Sequence, residues 1–167
     1  FNESKNNPTK MQRFYNNILG IIYEESGAKI TESSMTNCAD AEWRMPESAE
    51  GTIAGVDVGA DLHCTIWQII EGKRKAVFIG RVPTFEALSQ VVKRYGVQGG
   101  VIDALPETHK TREFIQNHDG WWMCFYNKSA EVKRLIVPNP QERTISVNRT
   151  ETLDASHSSY SLRQIIL

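Results

Sequence analysis

Thr52-Ile53-Ala54-Gly55-Val56-Asp57-Val58-Gly59 is the stretch on which the fold turns. An apolar run leads straight into a carboxylate, and two small residues, Gly59 and Ala60, leave room beside it for a backbone or a phosphate. A carboxylate in a strand-like run is costly unless it shifts its pKa or finds a cation. A second run, Gly99-Gly100-Val101-Ile102-Asp103-Ala104-Leu105, also ends on an aspartate. If the two strands are neighbours they lie about 4.8 Å apart, and Asp57 and Asp103 project from the same sheet edge. Hard oxygen ligands of this kind select Mg²⁺ or Mn²⁺ over zinc. Two such ions about 3.5–4 Å apart can activate a water and stabilise the leaving oxygen of a phosphodiester. The plainer reading of each aspartate is a strand that ends at a turn.

Working outward, Ile53 to Val58 reads as a first strand, His63 to Ile70 as a second and Lys75 to Val82 as a third. The links are short, so the three form an antiparallel meander. Pro83-Thr84 starts a helix with Thr84 as N-cap and Glu86 in the first turn. Its apolar face is Phe85, Leu88, Val91, Val92 and Tyr95, and Gly96 closes it. Gly99 to Ala104 is apolar on both faces, as a central parallel strand is. Pro106 and Thr108 open a second helix that runs to about Asn117, and Trp121 to Tyr126 is a fifth strand. Beyond it, Val132 to Val137, a Pro138-Asn139-Pro140 turn, Thr144 to Arg149 and Ser161 to Leu167 read as a C-terminal β-hairpin extension.

Helices joining strand three to four and four to five require right-handed parallel crossovers. Strand four then lies beside strand one, with the meander on one side and strand five on the other. This is an RNase H-like α/β architecture with a mixed sheet, expected over residues 51–167.

Residues 1–50 read as a tether that follows another domain. Met11, Phe14, Tyr15, Ile18 and Leu19 mark one face of a helix from Lys10 to Gly20. Thr31, Ser33, Ser34, Thr36, Asn37, Asp40 and then Met45-Pro46-Glu47-Ser48 have linker character. The chain opens on Phe1 and stops in the apolar run Gln164-Ile165-Ile166-Leu167, so both ends read as cut from a longer protein. Its 167 residues carry a net charge of −1, which gives no global attraction to nucleic acid, so any such binding rests on local patches. No apolar run reaches the roughly 20 residues of a membrane span, and no signal-peptide pattern is present. Cys38, Cys64 and Cys124 have no paired spacing, which suits reduced thiols in a cytoplasm.

Two carboxylates are an incomplete set for two-ion chemistry. Asp154 is the late acidic candidate, although its neighbours read as the start of a hairpin. Asp61 could act through water, and His63 and Glu107 sit next to the strand ends where they could support the ligands. Basic residues fall in three sets: Lys73-Arg74-Lys75; His109, Lys110 and Arg112; and Lys128, Lys133 and Arg134. Lys110 and Arg112, after strand four, are the candidates for contact with a phosphate backbone, and a solvated face explains any of these sets equally well. Trp121 and Trp122 point to opposite faces, and core packing is expected for both.

Taken together, Gly55-Val56-Asp57-Val58-Gly59-Ala60, Phe85-Glu86-Ala87-Leu88, Tyr95-Gly96-Val97, Val101 to Glu107 and Asn148 to Asp154 resemble the C-terminal nuclease domain of the tailed-bacteriophage terminase large subunit. Phe14 to Gly20 resembles the segment by which such proteins leave their packaging ATPase domain. The resemblance implies a metal-dependent endonuclease that cuts concatemeric double-stranded DNA, with Asp57 and Asp103 as its first two metal ligands and Mg²⁺ or Mn²⁺ as cofactor. It implies the ATPase domain in cis, the small terminase subunit and the portal protein as partners, and the host bacterial cytoplasm as setting. The family's third acidic ligand lies in a late helix after the last hairpin strand, which is expected beyond Leu167. No Gly-x-x-x-x-Gly-Lys-Ser/Thr occurs, so no ATP site is expected here. Three alternatives stay open: a RuvC-like resolvase or other RNase H-like nuclease, an inert DNA-binding domain, and an actin-like ATP-binding fold, for which the chain is short.

Overall fold

The structure, a computed structural model, describes residues 14–20, 30, 32–127 and 136–167. Phe14–Ile18 forms a π-helical turn closed by the Leu19 amide donating to the Phe14 carbonyl at 3.2 Å. The part of the expected helix from Lys10 to Arg13 lies outside the described residues. Glu32–Cys38 is a short helix, α1, in place of the expected linker. Ser33, Ser34 and Thr36 favour loops by competing for backbone bonds, yet Thr36 bonds back to the Glu32 carbonyl at 2.9 Å inside the helix.

Strict alternation then sets the first strand. In β1 (Thr52–Val58) Thr52, Ala54, Val56 and Val58 are buried, and Ile53 and Asp57 turn to the other face. β2 (Leu62–Ile70) and β3 (Lys73–Val82) complete the antiparallel meander. α2 (Phe85–Arg94) begins at the N-cap Thr84, whose side chain accepts the Ala87 N–H. It gives way at Gly96, which has φ +52°; a Cβ there would sit 2.9 Å from the Glu50 Cα, so only glycine fits. β4 (Val97–Asp103), α3 (Thr108–Asn117) and β5 (Trp121–Asn127) follow in the expected order. β6 (Ile136–Asn139) and β7 (Thr144–Asn148) pair as the expected hairpin, whose proposed start at Val132 lies outside the described residues.

The eight strands form one sheet in the order β6-β7-β5-β4-β1-β2-β3-β8. β4 lies between β1 and β5, parallel to both, and β7 is parallel to β5. The carboxyl ends of these strands therefore share one edge. α2 and α3 cover one face, where Leu88, Val92, Tyr95, Phe114 and Ile115 meet Val56, Cys64, Ile66, Ile102, Trp121 and Met123.

Two expectations for the C-terminal part are corrected. Arg149–Ser161 is a helix, α4, not the start of a further hairpin. Within Ser161–Leu167 only Ile165–Ile166 is strand, β8, and it pairs parallel with Arg74 and Lys75 of β3, across the sheet from β6. α2 and α3 step along the sheet in one direction, and α4 returns in the other. A right-handed return crossover passes over the opposite face. That matches the contact of Arg149 with Tyr126, since Tyr126 shares its strand face with Cys124 and Trp122 rather than with Trp121, which packs edge-on against Phe114 of α3. A helix after the hairpin is thus present before Leu167.

The segment before β1 packs on the sheet. Trp43 Nε1 donates to the Ala76 carbonyl at 2.8 Å, and Lys75 Nζ lies 4.7 Å from the Trp43 ring centroid. Tyr95 donates to the Pro46 carbonyl at 3.1 Å, and the buried Cys38 thiol donates to the Tyr160 carbonyl of α4 at 3.3 Å.

Candidate metal centre

The register of β1 and β4 brings the two aspartates together. Val56 pairs with Ile102, and Asp57 and Asp103 each follow one residue later. Both alternate away from the α2–α3 face, onto the side that α4 crosses. The close fit of this part of the sheet depends on Gly100. A Cβ there would lie 2.7 Å from the Ala54 carbonyl oxygen of β1 and 2.9 Å from the Trp121 ring of β5.

Asp57 is open to solvent, its side chain 72% exposed, and stands directly across from His63 of β2. His63 Nδ1 lies 3.6 Å from Asp57 Oδ2. Asp103 is more enclosed. Its Oδ1 accepts the Leu105 N–H at 3.3 Å, and Ala104 is tied by its amide to the Cys124 carbonyl at 2.9 Å. Burial raises the Asp103 pKa above its ordinary value, and the nearby charge of Asp57 raises it further. The Leu105 hydrogen bond and the Arg149 guanidinium pull the other way.

Around the pair stand groups from the next two parallel strands. Tyr126 is raised by burial first, then by the charges of Cys124, Asp103 and Asp57. Cys124, buried behind Asp103, is pushed up to about 11 mainly by burial. Arg149, the first residue of α4, holds its guanidinium carbon 5.9 Å from the Tyr126 ring centroid. Sequence reasoning missed Arg149 and Tyr126. The parallel pairing of β5 with β7, which sets Tyr126 against Val147, is what brings them to this edge.

The remaining candidates are dispersed. Asp154 lies exposed on α4, about 140° round the helix from Arg149 at 3.6 residues per turn. Asp61 pairs with Arg81 at 3.3 Å. Glu107 pairs with Lys110 at 3.1 Å and Arg112 with Glu142 at 3.0 Å; exposed pairs of this kind contribute little and are readily exchanged for another anion. Glu107 and Lys110 line a cavity of about 530 Å³ between α2 and α3, with Glu86, Glu113, Phe114 and His118. Lys73 to Lys75 begin β3 at the opposite end of the sheet from Asp57. Trp121 is fully buried, but Trp122 is only half-buried on the other face. Lys128, Lys133 and Arg134 lie outside the described residues. Among the described residues no group of three or more Asp, Glu, His or Cys side chains converges closely enough to hold a metal ion.

An antiparallel meander, two parallel strands with helices on one face and a returning helix on the other define an RNase H-like fold, with two carboxylates at the carboxyl edge of its central strands. In fold the chain is similar to the large terminase of a thermophilic bacteriophage, with a TM-score of 0.54 and 12% sequence identity. The match covers 95% of this chain and 39% of that one. No protein-family model matches the chain, and no curated protein matches it. No helix among the described residues is long and apolar enough to cross a membrane.

Proposed function

We propose that this chain is the nuclease part of a DNA-packaging terminase large subunit, hydrolysing phosphodiesters of double-stranded DNA at Asp57 and Asp103. The observation that carries this reading is the pair of carboxylates one residue past the Val56–Ile102 rung. The fold likeness to a phage large terminase supports it. The donor set fits a hard divalent cation. Its donors are carboxylate oxygens, Asp103 is uncomfortable as an anion for want of solvent and because Asp57 is close, and neither aspartate takes a Lys or Arg within 4.0 Å among the described residues. Asp57 and Asp103 hold Mg²⁺ or Mn²⁺. When bound, two such ions supply a water nucleophile at neutral pH and offset the negative charge of the phosphodiester. The Leu105 amide orients the Asp103 carboxylate, and His63 stands across from that of Asp57. Among the described residues no third acidic group joins the pair. The small terminase subunit, the portal protein and an ATPase domain in cis are the partners on this reading, in the host bacterial cytoplasm.

The test is cleavage of linear duplex DNA by the full-length parent protein in Mg²⁺ or Mn²⁺. Asp57→Ala or Asp103→Ala should lower the rate at least about 100-fold; full cleavage by Asp57→Ala sinks the assignment. A strong preference for four-way junctions over linear duplex points instead to a resolvase. One observation favours a second reading, a DNA-binding domain without chemistry: the lack of a third converging acidic group among the described residues. DNA binding that needs no metal and is unchanged in Asp57→Asn, with no cleavage, would establish it.

A further inference from the structure

β1, β4, β5 and β7 all end at one edge, and the first three bring Asp57, Asp103 and Tyr126 to it. β7 brings a cation. It ends at Asn148, opposite Asn127, and Arg149 follows immediately. The guanidinium stands over Tyr126 and acts on both the Asp103 carboxyl and the Tyr126 hydroxyl.

The position is a poor one for a cation on local grounds. Asn148 caps α4 by accepting the Glu151 N–H at 3.3 Å, so Arg149 occupies the first turn, at the positive end of the helix dipole. What it faces must therefore account for it. Simple neutralisation of Asp103 would bring the two groups into contact, but no ion pair among the described residues includes Arg149. The guanidinium carbon lies instead 5.9 Å from the Tyr126 ring centroid, near enough to Asp103 for its charge to act there. A carboxylate pair repels a phosphodiester, and a planar cation with several donors is the side chain best matched to that ligand's non-bridging oxygens.

We propose that Arg149 is the phosphate-contact residue of this site, donating its guanidinium fork to the non-bridging oxygens of the phosphodiester presented to Asp57 and Asp103. The inference rests on the reading of those aspartates as a metal-dependent phosphodiester site, and the experiment separates the two.

Binding of a linear duplex by the whole chain is measured by fluorescence anisotropy in Ca²⁺ over a range of salt concentrations, and Mn²⁺ binding without DNA is measured by calorimetry. Wild type, Arg149→Ala, Arg149→Lys and Asp57→Asn are compared, with thermal melts as a check on folding. Arg149→Ala should weaken DNA binding and reduce the salt slope by about one contact. It should leave Mn²⁺ affinity unchanged or tighter, because a neighbouring positive charge has gone, and it should melt no lower than wild type, since the Asn148 cap remains. Arg149→Lys should keep the salt slope but bind DNA more weakly than wild type, having charge without the fork. Loss of Mn²⁺ binding in Asp57→Asn, with wild-type salt slope and DNA affinity in Arg149→Ala, overturns the proposal and leaves the metal site standing. Weaker Mn²⁺ binding in Arg149→Ala also overturns it, by making Arg149 a support for the carboxylates. Unchanged Mn²⁺ binding in Asp57→Asn brings down the metal site and the proposal together.

Discussion

Asp57 and Asp103 leave neighbouring parallel strands at the same level, each one residue beyond the rung formed by Val56 and Ile102. Strand pairing fixes their backbones at about the inter-strand spacing of 4.8 Å, and the charge of Asp57 adds to burial in making Asp103 a reluctant anion. The arrangement is a standing electrostatic cost that a divalent cation would remove.

Asp103→Asn should therefore stabilise the metal-free protein. The folded-state pKa of Asp103 is raised above 3.8, so the folded chain holds the proton more tightly than the unfolded one. Its contribution to stability is full below the unfolded pKa and is lost as pH rises through the folded pKa. At pH 7 the amide removes that loss while keeping an acceptor for the Leu105 N–H, and the melting temperature should rise by about 1–3 °C. The gain should vanish in acid, once pH falls below the unfolded carboxyl's pKa of about 3.9, and Mn²⁺ binding by calorimetry should disappear. A lower melting temperature at pH 7 would contradict this account.

Gly100→Ala should damage both the fold and the site. The added Cβ would meet the Ala54 carbonyl at 2.7 Å and the Trp121 ring at 2.9 Å, and the first of these is backbone that cannot rotate away. A cost of about 2–3 kcal/mol, or about 5–10 °C in melting temperature, is expected. Because the contact with Ala54 forces β1 and β4 apart, the surviving folded protein should also bind Mn²⁺ more weakly than wild type.

The tether boundary can be tested at Trp43. Its indole bonds the Ala76 carbonyl and carries Lys75 on its ring. Trp43→Ala should cost about 2 kcal/mol in chemical denaturation. A chain beginning at residue 51 should be destabilised at least as much as one beginning at residue 32 that carries Trp43→Ala. Equal stability of the chains starting at 32 and 51 would show that residues 32–50 add nothing to the fold.

Asp154→Ala should leave Mn²⁺ affinity within about twofold of wild type, because its carboxylate lies on the exposed side of α4, away from the face that carries Arg149. A loss of about tenfold by calorimetry would place Asp154 among the ligands and require α4 to turn about its axis.

The thiols give a check on the folded state. Burial pushes Cys64 up to about 12 and Cys124 up to about 11. At pH 8 a thiol reagent should leave both unlabelled over minutes in the native protein and label all three cysteines after denaturation.

The central part of the fold is legible in the sequence because each signal is local. Alternation in Thr52 to Val58, the Thr84 cap, the apolar stripe of Leu88 and Val92 and the two-faced apolar run before Asp103 each identify an element, and crossover handedness then leaves few arrangements. α4 is hidden because Arg149 to Ser161 carries almost no apolar stripe. Serines and threonines dominate it, and its main local sign is Asn148 three residues before Glu151, a cap too short to stand out in a polar stretch. β8 shows locally as the apolar run Gln164 to Leu167, but its partner does not, since β3 is about ninety residues earlier in the chain. The same limit applies to the site. Asp57 and Asp103 stand out as charges inside apolar runs, whereas Arg149 and Tyr126 look ordinary until the pairing of β5 with β7 sets them beside the aspartates.

The ends of the sheet carry a consequence for self-association. On one side it finishes in the two-residue β8, and on the other in β6, whose described residues Ile136–Asn139 are all exposed and include Pro138. A two-residue strand is too short a template for lateral growth, and proline offers no amide hydrogen to an incoming strand. Although Ile136 and Val137 face water, neither border of this sheet is suited to recruiting a strand from another molecule. Over its described residues, the sheet thus offers crowded copies little edge along which to zip together.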